Sequence, residues 1–124
     1  MISHVSIGVR DIGRAREFYD AALAPLGYKR LVTDDAYLAY GAKEPELWVL
    51  KSKKPVPADA DSGLHFCIDA PTRKGVDGFH AAALKTGGKD NGKPGIRSDY
   101  GPNYYAAFVV DPDGYRIEAY CGKA

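Results

Sequence analysis

Two histidines and one glutamate have the residue types and the settings of a metal site. His4 opens the segment H-V-S-I-G-V, and His65 lies within G-L-H-F-C-I-D-A; both segments are typical of strands. Glu118 lies in a third such segment near the C-terminus. Two imidazoles and one carboxylate form the facial ligand set that binds Fe(II) and also suits Mn, Ni, Co or Zn. Such an ion would act as a Lewis acid on two adjacent oxygens of a substrate.

Alternation within each strand predicts that these three side chains face away from the helices. Residues two apart in a strand share a face of the sheet. In each segment the histidine or glutamate alternates with apolar residues that would pack beneath a helix. These apolar residues are Val5, Ile7, Phe66, Ile68, Ile117 and Ala119. We therefore expect His4, His65 and Glu118 on the opposite, concave side.

An internal repeat relates the two histidines. At an offset of 61 positions His65 coincides with His4, and seven identities fall within a window of 24 residues. The other matched pairs are Ile7 with Ile68, Phe18 with Phe79, Ala21 with Ala82, Ala22 with Ala83, Leu23 with Leu84, and Gly27 with Gly88. Such a repeat predicts two similar structural units. A pseudo-two-fold axis between them would bring His4 and His65 together, with Glu118 joining from the second unit.

The elements that must position these residues follow the order βαβββ in each unit. The predicted fold is α+β, with two tandem βαβββ modules that form a curved mixed sheet around a central cavity and with helices on the outside. One helix is predicted from Ile12 to about Leu23, with Asp11 as its N-cap, and the other from about Arg73 to Lys85. The predicted strands are His4–Val9, Tyr28–Thr33, Tyr37–Gly41, Glu46–Leu50, Leu64–Asp69, Tyr104–Val110 and Tyr115–Cys121, with a weak strand within residues 89–102.

The chain is predicted to be a single domain over residues 1–124, with module one at 1–52, a linker at 53–61 and module two at 62–124. The linker K-K-P-V-P-A-D-A-D is rich in proline and charge. A net charge of +1 on scattered basic residues does not favour a nucleic-acid or membrane partner. No apolar run approaches the roughly 18 residues that span a bilayer. The start of the chain lacks a secretory pattern, which favours a cytoplasmic location.

Three stretches resemble the vicinal oxygen chelate superfamily, which includes glyoxalase I, extradiol dioxygenases, and fosfomycin- and bleomycin-resistance proteins. They are H-V-S-I-G-V-R-D-I-G-R-A-R-E-F-Y-D, L-H-F-C-I and D-P-D-G-Y-R-I-E-A-Y. The resemblance covers nearly the whole chain, and the terminal D-P-D-G-x-x-I-E is its most specific part. It implies that His4, His65 and Glu118 are metal ligands and that Glu46 is a fourth. Glu46 is equally well a solvated carboxylate at the start of a strand.

These observations predict a divalent-metal-dependent lyase, isomerase or dioxygenase that resembles glyoxalases and acts on a small oxygenated metabolite. The expected cofactor is one Fe, Ni, Mn, Co or Zn ion, with Glu118 also a candidate catalytic carboxylate. The alternative is a non-catalytic small-molecule-binding protein of the bleomycin-resistance type, which would use an aromatic groove without a metal.

Side chains expected to contact the substrate lie near the predicted ligands along the strands or in the second-module loop. They are Trp48, Tyr105, Tyr120 and Asn103. His80 is expected on the surface of the second helix. An exposed sheet edge favours a homodimer, and the pattern leaves open whether the modules pair within one chain or swap between chains.

Overall fold

Eight strands and two α-helices follow one another in two βαβββ modules, as the computed structural model of residues 1–124 shows. Module one contains β1 (Val5–Val9), α1 (Ile12–Leu23), β2 (Lys29–Thr33), β3 (Tyr37–Gly41) and β4 (Leu47–Lys51), with a 3-10 turn at Ala24–Leu26. Module two contains β5 (His65–Asp69), α2 (Arg73–Lys85), β6 (Lys89–Ile96), β7 (Tyr105–Val110) and β8 (Arg116–Cys121). The predicted α+β class and βαβββ order are confirmed.

Each module has its own four-stranded sheet. The strand orders are β1-β4-β3-β2 and β5-β8-β7-β6. The pairs β1–β4 and β5–β8 are parallel, and the other neighbours are antiparallel. The strands thus form two sheets, where the sequence predicted one curved sheet. Because β1 and β5 each lie at the edge of a sheet, one side of each strand has no neighbour in its own sheet.

The repeat extends to the residues that start the helices. Asp11 caps α1 by accepting a hydrogen bond of 3.0 Å from the amide of Arg14. Thr72 caps α2 by accepting one of 2.9 Å from the amide of Gly75. Asp11 and Thr72 differ in type but are separated by the same 61 positions as the histidines, so the two modules begin their helices at equivalent points.

The two modules share one hydrophobic core because their helices pack against each other. Phe18 and Ala22 on α1 and Phe79 and Ala83 on α2 are each at most 1% exposed. These four residues are matched pairs of the repeat, so the repeat preserves the helix contact. Small alanines let the helix backbones approach, and each buried phenylalanine stabilises the fold by about 1.5–3 kcal/mol.

The D-P-D-G turn between β7 and β8 is built around a buried carboxylate. Asp111 Oδ1 accepts hydrogen bonds from the amides of Asp113 and Tyr115, at 2.9 and 2.8 Å. Asp111 Oδ2 accepts one of 2.5 Å from the Tyr19 hydroxyl on α1. Burial raises the pKa of Asp111 and, together with the Asp111 charge, raises that of Tyr19 well above its usual value. The turn is therefore joined to module one through α1.

Three further hydrogen bonds fasten module two to the end of β1 and the start of α1. Asp113 Oδ1 accepts hydrogen bonds of 3.1 Å from the Arg10 amide and from the Arg14 guanidinium. The Tyr115 hydroxyl donates one of 2.6 Å to the carbonyl of Gly8. The motif that is most specific to the family resemblance thus has a structural role, which is to hold the modules together.

Neither helix has the combination of length and apolar character that a membrane-spanning helix requires.

Candidate functional site

His65 and Glu118 meet on the face of the second sheet that points away from the helices, which we call the outward face. The strands β5 and β8 run parallel, and Cys67 lies opposite Glu118 in their register. A hydrogen bond of 2.8 Å joins His65 Nε2 and Glu118 Oε1. The imidazole is 43% exposed, whereas the glutamate side chain is only 6% exposed. Solvent therefore reaches the His65 imidazole but hardly the Glu118 carboxylate.

The second oxygen of this carboxylate is held by a tyrosine. The Tyr104 hydroxyl donates a hydrogen bond of 2.6 Å to Glu118 Oε2. Its ring stacks on Tyr120, with 4.1 Å between the ring centroids. Burial and the Glu118 carboxylate raise the pKa of Tyr104, and the same two causes raise the pKa of the Cys67 thiol to about 12. Both groups are therefore protonated at neutral pH.

An open cleft of about 720 Å³ lies over these residues. Its lining consists of His65, Asp99, Tyr100, Tyr104, Phe108 and Glu118. Tyr100 meets Tyr104 edge to face, with 5.2 Å between the ring centroids, and His65 and Phe108 form a second ring pair at 6.0 Å. The cleft is thus bounded by rings and contains two carboxylates but no lysine or arginine.

His4 lies on the other sheet and does not join this cluster. It is exposed, just before β1, and its Nδ1 is 3.0 Å from the Ser3 hydroxyl. No group of three or more His, Cys, Asp and Glu side chains in the chain is close enough to hold a metal ion. The modules pack against each other through their helices. His4 and Glu118 instead belong to the faces of their sheets that point away from the helices. One chain therefore brings two of the three predicted ligands together.

Glu46 is also outside the His65–Glu118 cluster. It is exposed and directly precedes β4, where its amide donates a hydrogen bond to the Tyr40 carbonyl. It lines a separate cavity of about 470 Å³ between the modules, together with one side of β5 that includes His65 and Cys67. The structure thus places Glu46 within reach of the same strand but not of Glu118.

The four predicted substrate contacts occupy different surroundings. Tyr120 lies beside the site, where its ring stacks on Tyr104. Trp48 lies on the face of the first sheet that points away from the helices, and its ring centroid is 6.2 Å from that of Tyr37. Tyr105 points to α2, where its hydroxyl donates to Asp77 at 2.5 Å. Asn103 is exposed and lines neither cavity.

The register of β7 and β8 explains why Tyr104 rather than Tyr105 reaches the site. Tyr105 pairs with Cys121, which belongs to the helix-side core, and Phe108 pairs with Glu118. Phe108 was missed by the sequence reasoning, although counting back from the D-P-D-G turn would have paired it with Glu118. Asp99 was also missed, whereas Tyr100 belongs to the second-module loop for which the sequence indicates a binding role. They lie in the loop before β7, where no periodic pattern indicates which side chains turn inward.

Comparison with known proteins places the chain among proteins of one family. The sequence profile of the Glyoxalase/Bleomycin resistance protein/Dioxygenase superfamily matches residues 1–119. A glyoxalase/bleomycin resistance protein from Albidiferax ferrireducens T118 is 32% identical, covers 95% of this chain and 96% of its own, and superposes with a TM-score of 0.82. No curated protein sequence matches the chain.

Two more distant structures share the fold. The V278E mutant of glyoxalase I from Zea mays is 22% identical, with a TM-score of 0.71 over 96% of this chain and 45% of that one. The fosfomycin resistance protein FosX from Mesorhizobium loti is 15% identical, with a TM-score of 0.70 over 99% and 92%.

Proposed function

The chain belongs to the glyoxalase/bleomycin resistance protein/dioxygenase superfamily, and we propose that it is a divalent-metal-dependent enzyme that acts on a small oxygenated metabolite. The observation that carries the proposal is the pairing of His65 with the buried carboxylate of Glu118. A buried carboxylate with no lysine or arginine partner is costly unless hydrogen bonds or a metal ion compensate its charge.

The donor set on the second sheet suits a divalent ion. An imidazole nitrogen and a carboxylate oxygen lie 2.8 Å apart on one face, and both are ligands that Fe, Ni, Mn, Co and Zn accept. A bound ion would polarise two adjacent oxygens of the substrate. Tyr104 bonds only Oε2 of Glu118, which leaves Oε1 directed towards His65 and the cleft.

We propose that the third ligand, His4, comes from a second copy of the chain. Within one chain His4 forms no metal-binding cluster with His65 and Glu118, while β1 and β5 each present an open edge. The outward face of the first sheet exposes Tyr37 and Leu50, at 39% and 38%, beside Trp48. An open strand edge next to an apolar patch is the surface that a homodimer covers. Glu46 as a fourth ligand would likewise belong to this assembled site.

Glu118 is also the candidate base, because its carboxylate lines the cleft beside His65 on the ligand-bearing face. Hydrogen bonds with Tyr104 and His65 fix its orientation. Tyr104 and Cys67 are protonated, so neither of these neighbours competes with Glu118 as a base. In this role Glu118 would move a proton between two positions of the substrate, as a lyase or isomerase requires.

The second candidate function is a metal-free binding protein, and the ring-lined cleft favours it. Titration of the purified chain with Zn, Ni, Co, Mn and Fe(II) separates the two. The enzyme proposal predicts tight binding of at least one ion, weakened more than about 100-fold in Glu118→Gln. The exposed helix carboxylate Glu17, changed to Gln, is the matched control and leaves the affinity unchanged. Absence of binding by the wild-type chain would exclude the enzyme and favour the binding protein.

A further inference from the structure

We infer that the cleft on the second sheet selects its ligand by charge: it accepts a planar group that is cationic or neutral and rejects an anionic one, with Asp99 as the selecting residue. The inference deepens the proposed function and rests on it only in taking the outward face of the second sheet as the substrate side. It concerns the part of the substrate that lies against the mouth of the cleft, away from His65 and Glu118.

The mouth of the cleft presents an exposed ring. Tyr100 is 68% exposed, although its ring meets Tyr104 edge to face and Tyr104 continues the stack onto Tyr120. Large apolar side chains left exposed beside a cavity mark contact surfaces. A series of tyrosine rings offers planar faces to an aromatic ligand and negative ring faces to a cation.

The charges in the lining have one sign. Asp99 and Glu118 carry the only carboxyl groups in the lining, and no lysine or arginine lines the cleft. The Glu118 carboxylate is already engaged in hydrogen bonds with His65 and Tyr104. No ion pair of the chain involves Asp99, which is exposed. Its charge is therefore free to act on a ligand at the mouth of the cleft.

Two neighbouring guanidinium groups lie outside the lining of the cleft and are held by backbone carbonyls. Arg97 lies over the Phe108 ring, 5.3 Å from its centroid, and donates to the carbonyls of Gly95 and Lys93 at 2.9 and 2.6 Å. Arg116 donates to the Gly114 carbonyl at 2.8 Å. Neither group lines the cleft, and each already donates to backbone carbonyls, so a ligand carboxylate or phosphonate would lose water without gaining a direct cationic hydrogen-bond partner.

Three naphthalene probes of similar size and different charge test the inference: 1-naphthylmethylamine, 1-naphthylmethanol and 1-naphthoate. Their affinities for the full-length, EDTA-dialysed chain are measured by calorimetry. We expect the amine to bind about threefold or more tighter than the alcohol, and the alcohol tighter than the naphthoate. Asp99→Asn should abolish the advantage of the amine over the alcohol, and Asp99→Lys should place the naphthoate above the amine. Tyr100→Ala should weaken all three probes.

Controls keep these outcomes decisive. Asp99 is exposed, so its variants should retain the circular dichroism of the wild type, and Glu17→Gln removes an exposed carboxylate outside the cleft without changing the order. Equal or tighter binding of the naphthoate by the wild type, no binding of any probe, or an order that Asp99→Lys leaves unchanged would each overturn the inference. In the metal-loaded chain the carboxylate of the naphthoate would also be attracted to the metal ion. The readout there is therefore the difference in naphthoate affinity between the wild type and Asp99→Lys.

The result is independent of the metal titration. A charge order in a chain that binds no divalent ion would support this inference and refute the proposed enzyme. Tight metal binding without a charge order would support the proposed enzyme and refute this inference.

Discussion

His65 and Glu118 are 53 positions apart in the sequence, yet a hydrogen bond of 2.8 Å joins their side chains across the parallel pair β5 and β8. Tyr104 holds the other oxygen of the same carboxylate at 2.6 Å. The carboxylate is thereby buried and oriented before any ligand arrives. Preorganised donors of this kind are what a metal or substrate site needs from its protein.

Tyr104→Phe should weaken divalent-metal binding by about 10- to 100-fold without removing a ligand, because Glu118 loses the donor that fixes Oε2. Competition with a chromophoric chelator measures the change. The adjacent Tyr105→Phe is the control, since the Tyr105 hydroxyl binds Asp77 on the helix side. Equal affinities of the two variants would show that Tyr104 does not position the carboxylate.

Mixed dimers should reveal which chain supplies His4. If the site combines His4 of one copy with His65 and Glu118 of the other, His4→Ala and Glu118→Gln homodimers should each bind no metal. A heterodimer of the two variants, isolated through different affinity tags, should regain one intact site and one ion per dimer. If all three ligands came from one chain, the heterodimer would bind none. That result would refute the shared site.

Tyr19→Phe should lower the free energy of unfolding by about 1.5–3 kcal/mol, because it removes a hydrogen bond to the buried carboxylate of Asp111. Urea unfolding followed by circular dichroism measures the loss. Tyr37→Phe removes an equivalent hydroxyl from an exposed ring and should change little. A midpoint for Tyr19→Phe equal to that of the wild type would contradict the role given to the D-P-D-G turn in joining the modules.

Asp90→Asn should remove one part of the acid sensitivity of the fold. The hydrogen bond from His80 lowers the pKa of Asp90 below its usual 3.8. A carboxyl whose pKa is lower in the folded state stabilises the fold above the unfolded pKa, and this contribution disappears as the pH falls through the folded value. The stability difference between wild type and Asp90→Asn should thus shrink as the pH falls below 3.8. A difference that stays constant down to pH 2.5 would contradict this assignment.

The sequence predicts the fold well because each module has strong local signals. Both helix ranges, Ile12–Leu23 and Arg73–Lys85, agree with the structure, as does β3. The weakest prediction was β6, whose register with β7 shifts at Asp90/Gly92 and again at Gly92/Gly95. Glycines and a proline interrupt any alternation there, so periodicity has little to detect.

The candidate site was predicted only in part, because its geometry depends on how elements pack. Alternation correctly assigned His65 and Glu118 to one face of one sheet. It could not show that the modules meet through their helices, which leaves His4 on a separate face. The expectation that His80 lies on the helix surface was wrong: it is 8% exposed and bonds Asp90 at 2.8 Å. Helical periodicity does not reveal that the irregular β6 covers that side of α2.

The metal content of the purified chain tests the central claim most directly. After expression with Fe, Ni, Mn, Co and Zn supplied and gel filtration, elemental analysis should find one divalent ion per chain in the wild type. His65→Ala should lose it, and Asp69→Asn, an exposed carboxylate on the same strand, should retain it. A wild-type chain without stoichiometric metal, or a His65→Ala chain that keeps it, would contradict the claim that His65 and Glu118 bind a metal ion.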